Sequence, residues 1–278
     1  MFQAVMNEIA AKGEAFNPVT DEDYMQDGVL YCGKCHTPKQ IKKFFLGKER
    51  VLPIGCKCAN ERYAELERQD AEQERRKKAD ELRWECFGDK KDGLQKWNFS
   101  NYDGKDDRLH SAAKSYVNNF ENMLQEGKGL LIYGPTGRSK SFHMACIANA
   151  LIDKCQSCYM TNFKDLEAQN RAFGQTAPIH NLARYKLLCL DDLGAERDTT
   201  YMQELVFSVI DTRAQANLPM IITTNLTLEE FQKPRNITEA RIFQRVLERC
   251  FPIEATGPDR RMQKARADYH GMKEMLGL

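Results

Sequence analysis

The sequence predicts an α/β fold: a mostly parallel five-stranded sheet covered by helices on both faces, preceded by a small cysteine-bearing module. Three observations carry this. Five short apolar segments, at 130–133, 158–161, 187–192, 220–224 and 251–255, alternate with stretches of helical apolar spacing, the pattern that builds parallel sheets. A glycine-rich turn, Gly134 to Ser141, joins the first segment to the helix after it, in the strand–loop–helix order of a phosphate-binding loop. Four cysteines stand in two close pairs near the N-terminus, Cys32 with Cys35 and Cys56 with Cys58.

The totals bound the rest. A chain of 278 residues accommodates one large core and a small module. Lysine plus arginine number 41 against 40 acids, a net charge of +1, so charge argues neither for nor against a nucleic-acid partner and only local patches count. No apolar run approaches bilayer-spanning length. The first residues have no basic start, and Glu8 interrupts their apolar part, which predicts no secretory signal and a cytosolic protein. Ten cysteines in that compartment point to metal ligation or buried thiols rather than disulfides.

Taken in order, Phe2 to Lys12 has apolar residues at helical spacing. The short helix it predicts packs on its own domain or offers a face to a partner. The CxxC and CxC pairs lie about twenty residues apart, near the spacing of two-knuckle zinc sites. With no open position the zinc would be structural; His36 is a fifth candidate, with a surface neighbour the favoured reading. Lys39, Lys42, Lys43, Lys48 and Arg50 lie between the pairs with Phe44 and Phe45. A solvated basic loop over a small core of Phe44 and Leu46 is the favoured reading; a grip on single-stranded nucleic acid is the other. Asn60 to Glu85 is dense in charge and free of glycine and proline, predicting an exposed connecting helix. The expected domains are therefore 1–60, a helical linker at 61–95, and 96–278. Trp97, Phe99 and Tyr102 should pack at the entry to the large domain, one of them being a candidate adenine wall. Leu109 to Gln125 reads as one helix.

The loop residues Gly134, Pro135, Thr136, Gly137, Arg138, Ser139, Lys140, Ser141 and Phe142 would wrap phosphates with backbone N–H groups at a helix N-terminus. Lys140 is placed to reach the outer phosphates and Ser141 to ligate Mg²⁺. Ser139 stands where the pattern has its last glycine, and its Cβ should crowd the turn. Cys155 and Cys158 form a lone CxxC expected to be structural. Leu187 to Asp192 is an apolar strand ending in two acids: Asp191 would hold metal through water, and Asp192 would be the base or water-orienting group. The strand at 220–224 ends at Asn225, in reach of a γ-phosphate. Thr238 to Cys250 reads as a helix bearing Arg241, Arg245 and Arg249, and the partly basic tail from Thr256 carries Arg260 and Arg261.

Together, GPTGRSKS, LLCLDDLGAE from Leu187, IITTNL from Ile221 and ARIFQRVLERC from Ala240 resemble the helicase loaders of the DnaC/DnaI type, which belong with the IstB-like transposition ATPases in the AAA+ class. The resemblance spans roughly 99–261, and the cysteine module is similar to the zinc-bearing N-terminal domain of some loaders. It implies an AAA+ (ASCE) sheet without a full helical lid and an ATPase using ATP and Mg²⁺. It implies Asn225 as sensor 1, Arg241 or Arg245 as arginine finger for a neighbouring copy, and Arg261, in preference to Arg260, as sensor 2. It further implies self-association, an N-terminal module gripping a hexameric DnaB-type replicative helicase, and an ATPase domain contacting single-stranded DNA. Ser139 departs from the family pattern. Asp192 replaces the glutamate of many AAA+ proteins, as is usual in this branch. Two alternatives stay open: an adaptor in which Ser139 impairs turnover, and an IstB-like transposition helper, which the zinc module disfavours.

Overall fold

The computed structural model describes residues 17–45, 47–88, 93–102, 107–172, 181–195 and 199–276. The helix expected over Phe2 to Lys12, Leu46 and Glu196 lie outside them. The chain divides into two compact units, Met1–Arg75 and Arg76–Leu278.

The smaller unit contains two antiparallel hairpins. β1 (Tyr24–Gln26) pairs with β2 (Val29–Tyr31) across an Asp27–Gly28 turn with φ of 52° and 69°, the two-residue turn whose twist matches the strands. β3 (Gln40–Phe45) pairs with β4 (Lys48–Pro53). The basic segment expected as a loop is thus a ribbon, and two expectations fail with it. Phe44 is 77% exposed opposite Glu49 and packs into no core among the described residues. Lys39 is buried rather than solvated, its ammonium 2.5 Å from Asp23 and donating to Pro18 O at 2.6 Å.

The long charged helix α1 (Lys57–Phe87) is longer than expected at both ends. The division between units falls inside it, not at 60 and 95, and Ala79, Cys86 and Phe87 are core residues of the larger unit. The physical reason is the apolar content of its last turns, which the surrounding charge obscures in sequence.

The larger unit is built on five parallel strands: β5 (Gly129–Tyr133), β6 (Cys158–Asn162), β7 (Leu187–Leu193), β8 (Met220–Thr224) and β9 (Cys250–Glu254), in the order β6-β7-β8-β5-β9. Successive side chains on a strand face opposite ways, and each central strand feeds two cores. Leu130, Ile132, Leu187, Cys189 and Ile221 join the core beneath α2 (Asp107–Asn118), α3 (Phe120–Glu126) and α4 (Lys140–Asp153). Leu131, Leu188, Leu190, Met220 and Ile222 join the other, beneath α5 (Phe163–Ala172), α6 (Thr200–Gln215) and α8 (Ile237–Arg249). The short α7 (Leu228–Gln232) follows β8, and α9 (Arg260–Leu276) follows β9. The single helix expected over 109–125 is broken at Asn119, whose amide donates back to Ser115 O at 2.8 Å, a side-chain bond that competes with the helix ladder. Cys158 is buried and Cys155 sits at the turn after α4 with φ of 57°, and neither joins a metal-ligand cluster among the described residues.

No helix among the described residues is long and apolar enough to cross a membrane. Gly129 lets β5 lie against β8, since a Cβ there would strike the Met220 carbonyl. Gly129→Ala is therefore expected to cost about 2–3 kcal/mol by forcing the strands apart, read as a lower urea midpoint; an unchanged midpoint would contradict the close approach.

Candidate nucleotide site

The C-terminal ends of β5, β7 and β8 form one rim, where ligands bind in such sheets. The loop after β5 leads into α4, so its N–H groups converge where the helix dipole favours an anion. The Lys140 ammonium donates to Gly134 O and Pro135 O, at 2.7 and 2.8 Å, and to Asn225 Oδ1 at 2.7 Å. The Ser141 hydroxyl donates to Asp191 Oδ1 at 2.8 Å. A residue from each of three separated motifs is thereby brought together. Burial lowers the Lys140 pKa, opposed by Asp192 and Asp191 and reinforced by Arg261, which places both acids and Arg261 within electrostatic reach of the ammonium.

The loop encloses a cavity of about 370 Å³ whose lining includes Trp97, Lys140, Asp192, Asn225, Arg260 and Arg261. Trp97 is carried there by Asn149, whose amide donates to Leu94 O and Trp97 O, both at 2.9 Å. Arg260 lies 5.0 Å from the Tyr102 ring centroid. A larger groove of about 560 Å³ beside β9 is lined by residues such as Met123, Leu247 and Phe251 and by none of the cavity residues just named.

Ser139 occupies the last-glycine position with φ of 62° and ψ of 23°. Its Cβ does not close the turn; the residue takes the left-handed conformation itself, at a cost of about 1 kcal/mol. Its carbonyl accepts from His143 N–H at 3.1 Å and His143 Nδ1 at 2.9 Å. Because a carbonyl only accepts, that ring nitrogen carries the proton.

Arg241, Arg245 and Arg249 lie on α8 as expected, but away from the cavity of their own chain. Arg245 is tied to Asp211 at 3.2 Å and Glu248 at 3.0 Å. Arg249 donates to Asn217 Oδ1 at 2.7 Å and Ala214 O at 2.9 Å. Arg241 is exposed. None of the three lines the cavity of its own chain.

Three contacts of the site were not expected from the sequence, although Arg138 itself was named in the loop. Thr223 Oγ1 contacts Asp191 Oδ1 at 2.5 Å and accepts from Asp192 N–H at 2.9 Å. Asp259 packs its carboxylate against Gly137. Arg138 donates to Gly257 O. The only signal for Thr223 is its place just before the polar strand tip; the other two depend on the chain returning after β9.

In the smaller unit the four Sγ atoms of Cys32, Cys35, Cys56 and Cys58 lie within 4.8 Å of one another. Cys32 to Cys58 is 3.6 Å and Cys56 to Cys58 is 3.5 Å, close to the ~3.8 Å edge of a tetrahedron with Zn–S bonds of about 2.3 Å. The donor set fits zinc. The Thr37 hydroxyl and the Cys58 backbone lower the Cys35 pKa, while the other three thiols raise that of Cys58. Asp23 joins this framework by accepting from Gly33 N–H at 3.0 Å. Burial would raise its pKa, but Lys39 and the N–H groups of Thr20 and Gly33 hold it well below the usual carboxylate range.

Comparison with known proteins agrees with this geometry. The chain is 29% identical over 154 residues to "Replicative helicase loader DnaI" of Bacillus subtilis (strain 168), covering 50% of each chain. It is 24% identical over 149 residues to "Replicative helicase loader DnaC" of Escherichia coli (strain K12), covering 50% of this chain and 59% of that one. The match thus spans about half the length of these relatives. A solved structure, "Crystal Structure of the DnaI", superposes with a TM-score of 0.51 at 27% identity, covering 60% of this chain and 92% of that one. The family model described as "IstB-like ATP binding protein" matches residues 61–267, and the chain belongs to that family.

Proposed function

We propose that this chain is an ATP-dependent loader that delivers a hexameric DnaB-type replicative helicase onto single-stranded DNA, acting in the bacterial cytoplasm. The observation that carries the reading is the convergence of Lys140, Ser141, Asp191 and Asn225 on one rim, in a family described as ATP-binding with relatives named as helicase loaders.

The loop N–H groups and Lys140 bind and orient the phosphate tail. Ser141 and Asp191 would hold Mg²⁺, which when bound would supply positive charge against the phosphate oxygens. Asp192 is the base or water-orienting carboxylate. Asn225, already bonded to Lys140, aligns the terminal phosphate. Arg261 adds positive charge from the start of α9, with Arg260 beside it, and Trp97 forms a wall for the base. Arg241, exposed and without an ion pair among the described residues, is the better finger for a neighbouring copy. Arg245 is already committed to two acids. This role requires self-association through the ATPase domain. The cysteine module holds a structural zinc and contacts the helicase.

Ser139 motivates one competing reading, an adaptor that delivers helicase by contact with impaired turnover. ATP binding with Mg²⁺, measured by calorimetry, decides the parent reading. Binding is expected in the native chain and a loss of at least tenfold in Lys140→Ala; no binding in either, with helicase still captured, favours the adaptor. Ser139→Gly is expected to raise stability by about 1 kcal/mol by relieving the left-handed serine, visible as a higher Tm. A large rise in hydrolysis with delivery unchanged also favours the adaptor.

Arg241→Ala is expected to abolish the hydrolysis that depends on self-association, while Arg245→Ala retains it. Mixing Arg241→Ala with Lys140→Ala should restore part of the activity, since each supplies what the other lacks. For the cysteine module, one zinc per chain is expected in reduced protein. Chelation should unfold the smaller unit and abolish helicase capture, and metal-free protein with intact capture would remove zinc from the proposal.

A further inference from the structure

We infer that Thr223 is a positioning residue for the two acids of the candidate site, aiming Asp191 at Ser141 and holding Asp192 in its left-handed turn. The inference rests on the nucleotide-binding reading above.

β7 and β8 pair in simple register through Leu188↔Met220, Cys189↔Ile221 and Leu190↔Ile222, and the next pair is Leu193↔Thr224. Between these pairs Asp191 and Asp192 stand on β7 against Thr223 alone on β8. Two residues facing one is a β-bulge, a device that re-aims side chains beside functional sites. Asp192 supplies the left-handed residue of this bulge with φ of 58°, a conformation aspartate tolerates better than most side chains.

Thr223 fills the bulge from the partner strand. A threonine hydroxyl has one hydrogen to give and two lone pairs to receive with. Here it donates to Asp191 Oδ1 at 2.5 Å and accepts the Asp192 N–H at 2.9 Å, with the side chain fully buried. One hydroxyl therefore sets the direction of the first carboxylate and occupies the backbone N–H of the second. On the opposite face of β8, Thr224 Oγ1 donates to Leu193 O at 2.7 Å, closing the far end of the bulge. Ser141 reaches the same Asp191 oxygen from the loop side at 2.8 Å, so the two hydroxyls fix that carboxylate from two directions. The arrangement is that of an outer partner orienting a carboxylate that would hold metal, a position whose loss typically costs about 10–100-fold in metal affinity or activity.

The test compares Thr223→Val, which keeps the branched shape without the hydroxyl, with Thr223→Ser, which keeps the hydroxyl alone. In Thr223→Val the Mg²⁺ concentration for half-maximal ATP turnover should rise, and kcat should fall, by about 10–100-fold. The KM for ATP should stay within about threefold of wild type, because the phosphate loop is untouched. Thr223→Ser should bring both altered quantities back to near wild type. Equal impairment of the two variants would assign the position to packing and overturn the inference, as would a valine variant with unchanged metal dependence. If Thr223→Val does not fold, Thr223→Ala read against Thr223→Ser carries the same comparison. Crystal structures without nucleotide supply a readout independent of the parent reading. The valine variant should show the Asp191 carboxylate turned from Ser141 and a changed Asp192 φ, whereas both acids unmoved would overturn the inference. A wild-type chain that fails to bind Mg-ATP would sink the nucleotide reading, and the crystal comparison would still decide whether Thr223 positions the acids.

Discussion

The hydrogen bond from the Ser141 hydroxyl to Asp191, 2.8 Å long, ties the first turn of α4 to the tip of β7, and the geometry of the rim depends on it. The two residues are fifty positions apart in the chain. They meet because parallel strands end on one edge of the sheet and because β7 bulges at its last turn. The parallel bond between Lys140 and Asn225, 2.7 Å, does the same for β8. Loop, acids and strand tip are thus cross-linked by side chains before any ligand is considered. This is preorganisation: groups already directed at a site spend less ordering free energy when a ligand arrives. The electrostatics are balanced in the same spirit. Burial disfavours the Lys140 charge, and Asp192 and Asp191 offset part of that cost.

Backbone strain concentrates on the same rim. Ser139 and Asp192 both have left-handed φ values, 62° and 58°, a conformation that side chains with a Cβ adopt at a cost. Strained residues persist only where neighbours over-determine them, and here the neighbours are identifiable. Ser139 is held by two bonds from His143 to its carbonyl. Asp192 is held through its N–H by Thr223. His143 is fully buried within α4, so the helix that follows the loop also supports the unusual residue before it. Serine in place of glycine changes the energy of the loop while leaving its path open.

The large domain was legible because its signals are periodic. Apolar segments four to six residues long, alternating with helical stretches, specify a parallel sheet, and the loop and acids fall at strand ends as that topology requires. What escaped was non-periodic. The bulge adds one residue to β7, and nothing in LLCLDD marks which residue is extra. Thr223 and Thr224 are identical letters facing opposite ways, and only the register with β7 separates their roles. The basic stretch between the cysteine pairs alternates too weakly to declare a ribbon, so Phe44 was placed in a core it does not join. In α1 the charge density masked Ala79, Cys86 and Phe87, whose burial needs a partner surface distant in sequence. The positions of Arg241 and Arg245 were equally alike on the helix, and only the Asp211 and Glu248 contacts of Arg245 distinguish them.

The segment after β9 gives the site its least expected constraint. Ala255 N–H donates to Tyr133 O at 2.8 Å, and Arg260 N–H donates to Gly137 O at 3.0 Å. Arg138 reaches Gly257 O. Asp259 caps α9 through Met262 N–H at 3.0 Å while its carboxylate lies where a Gly137 side chain would be. Gly137 therefore answers two demands at once, a φ of 77° and the close approach of a capping carboxylate. The same contacts join the loop to the beginning of α9, where Arg260 and Arg261 enter the cavity lining. Hydrogen bonds link both ends of the loop to the segment that leads into α9. The loop and the arginines lining its cavity are thus tied together by hydrogen bonds, although they are drawn from opposite ends of the domain.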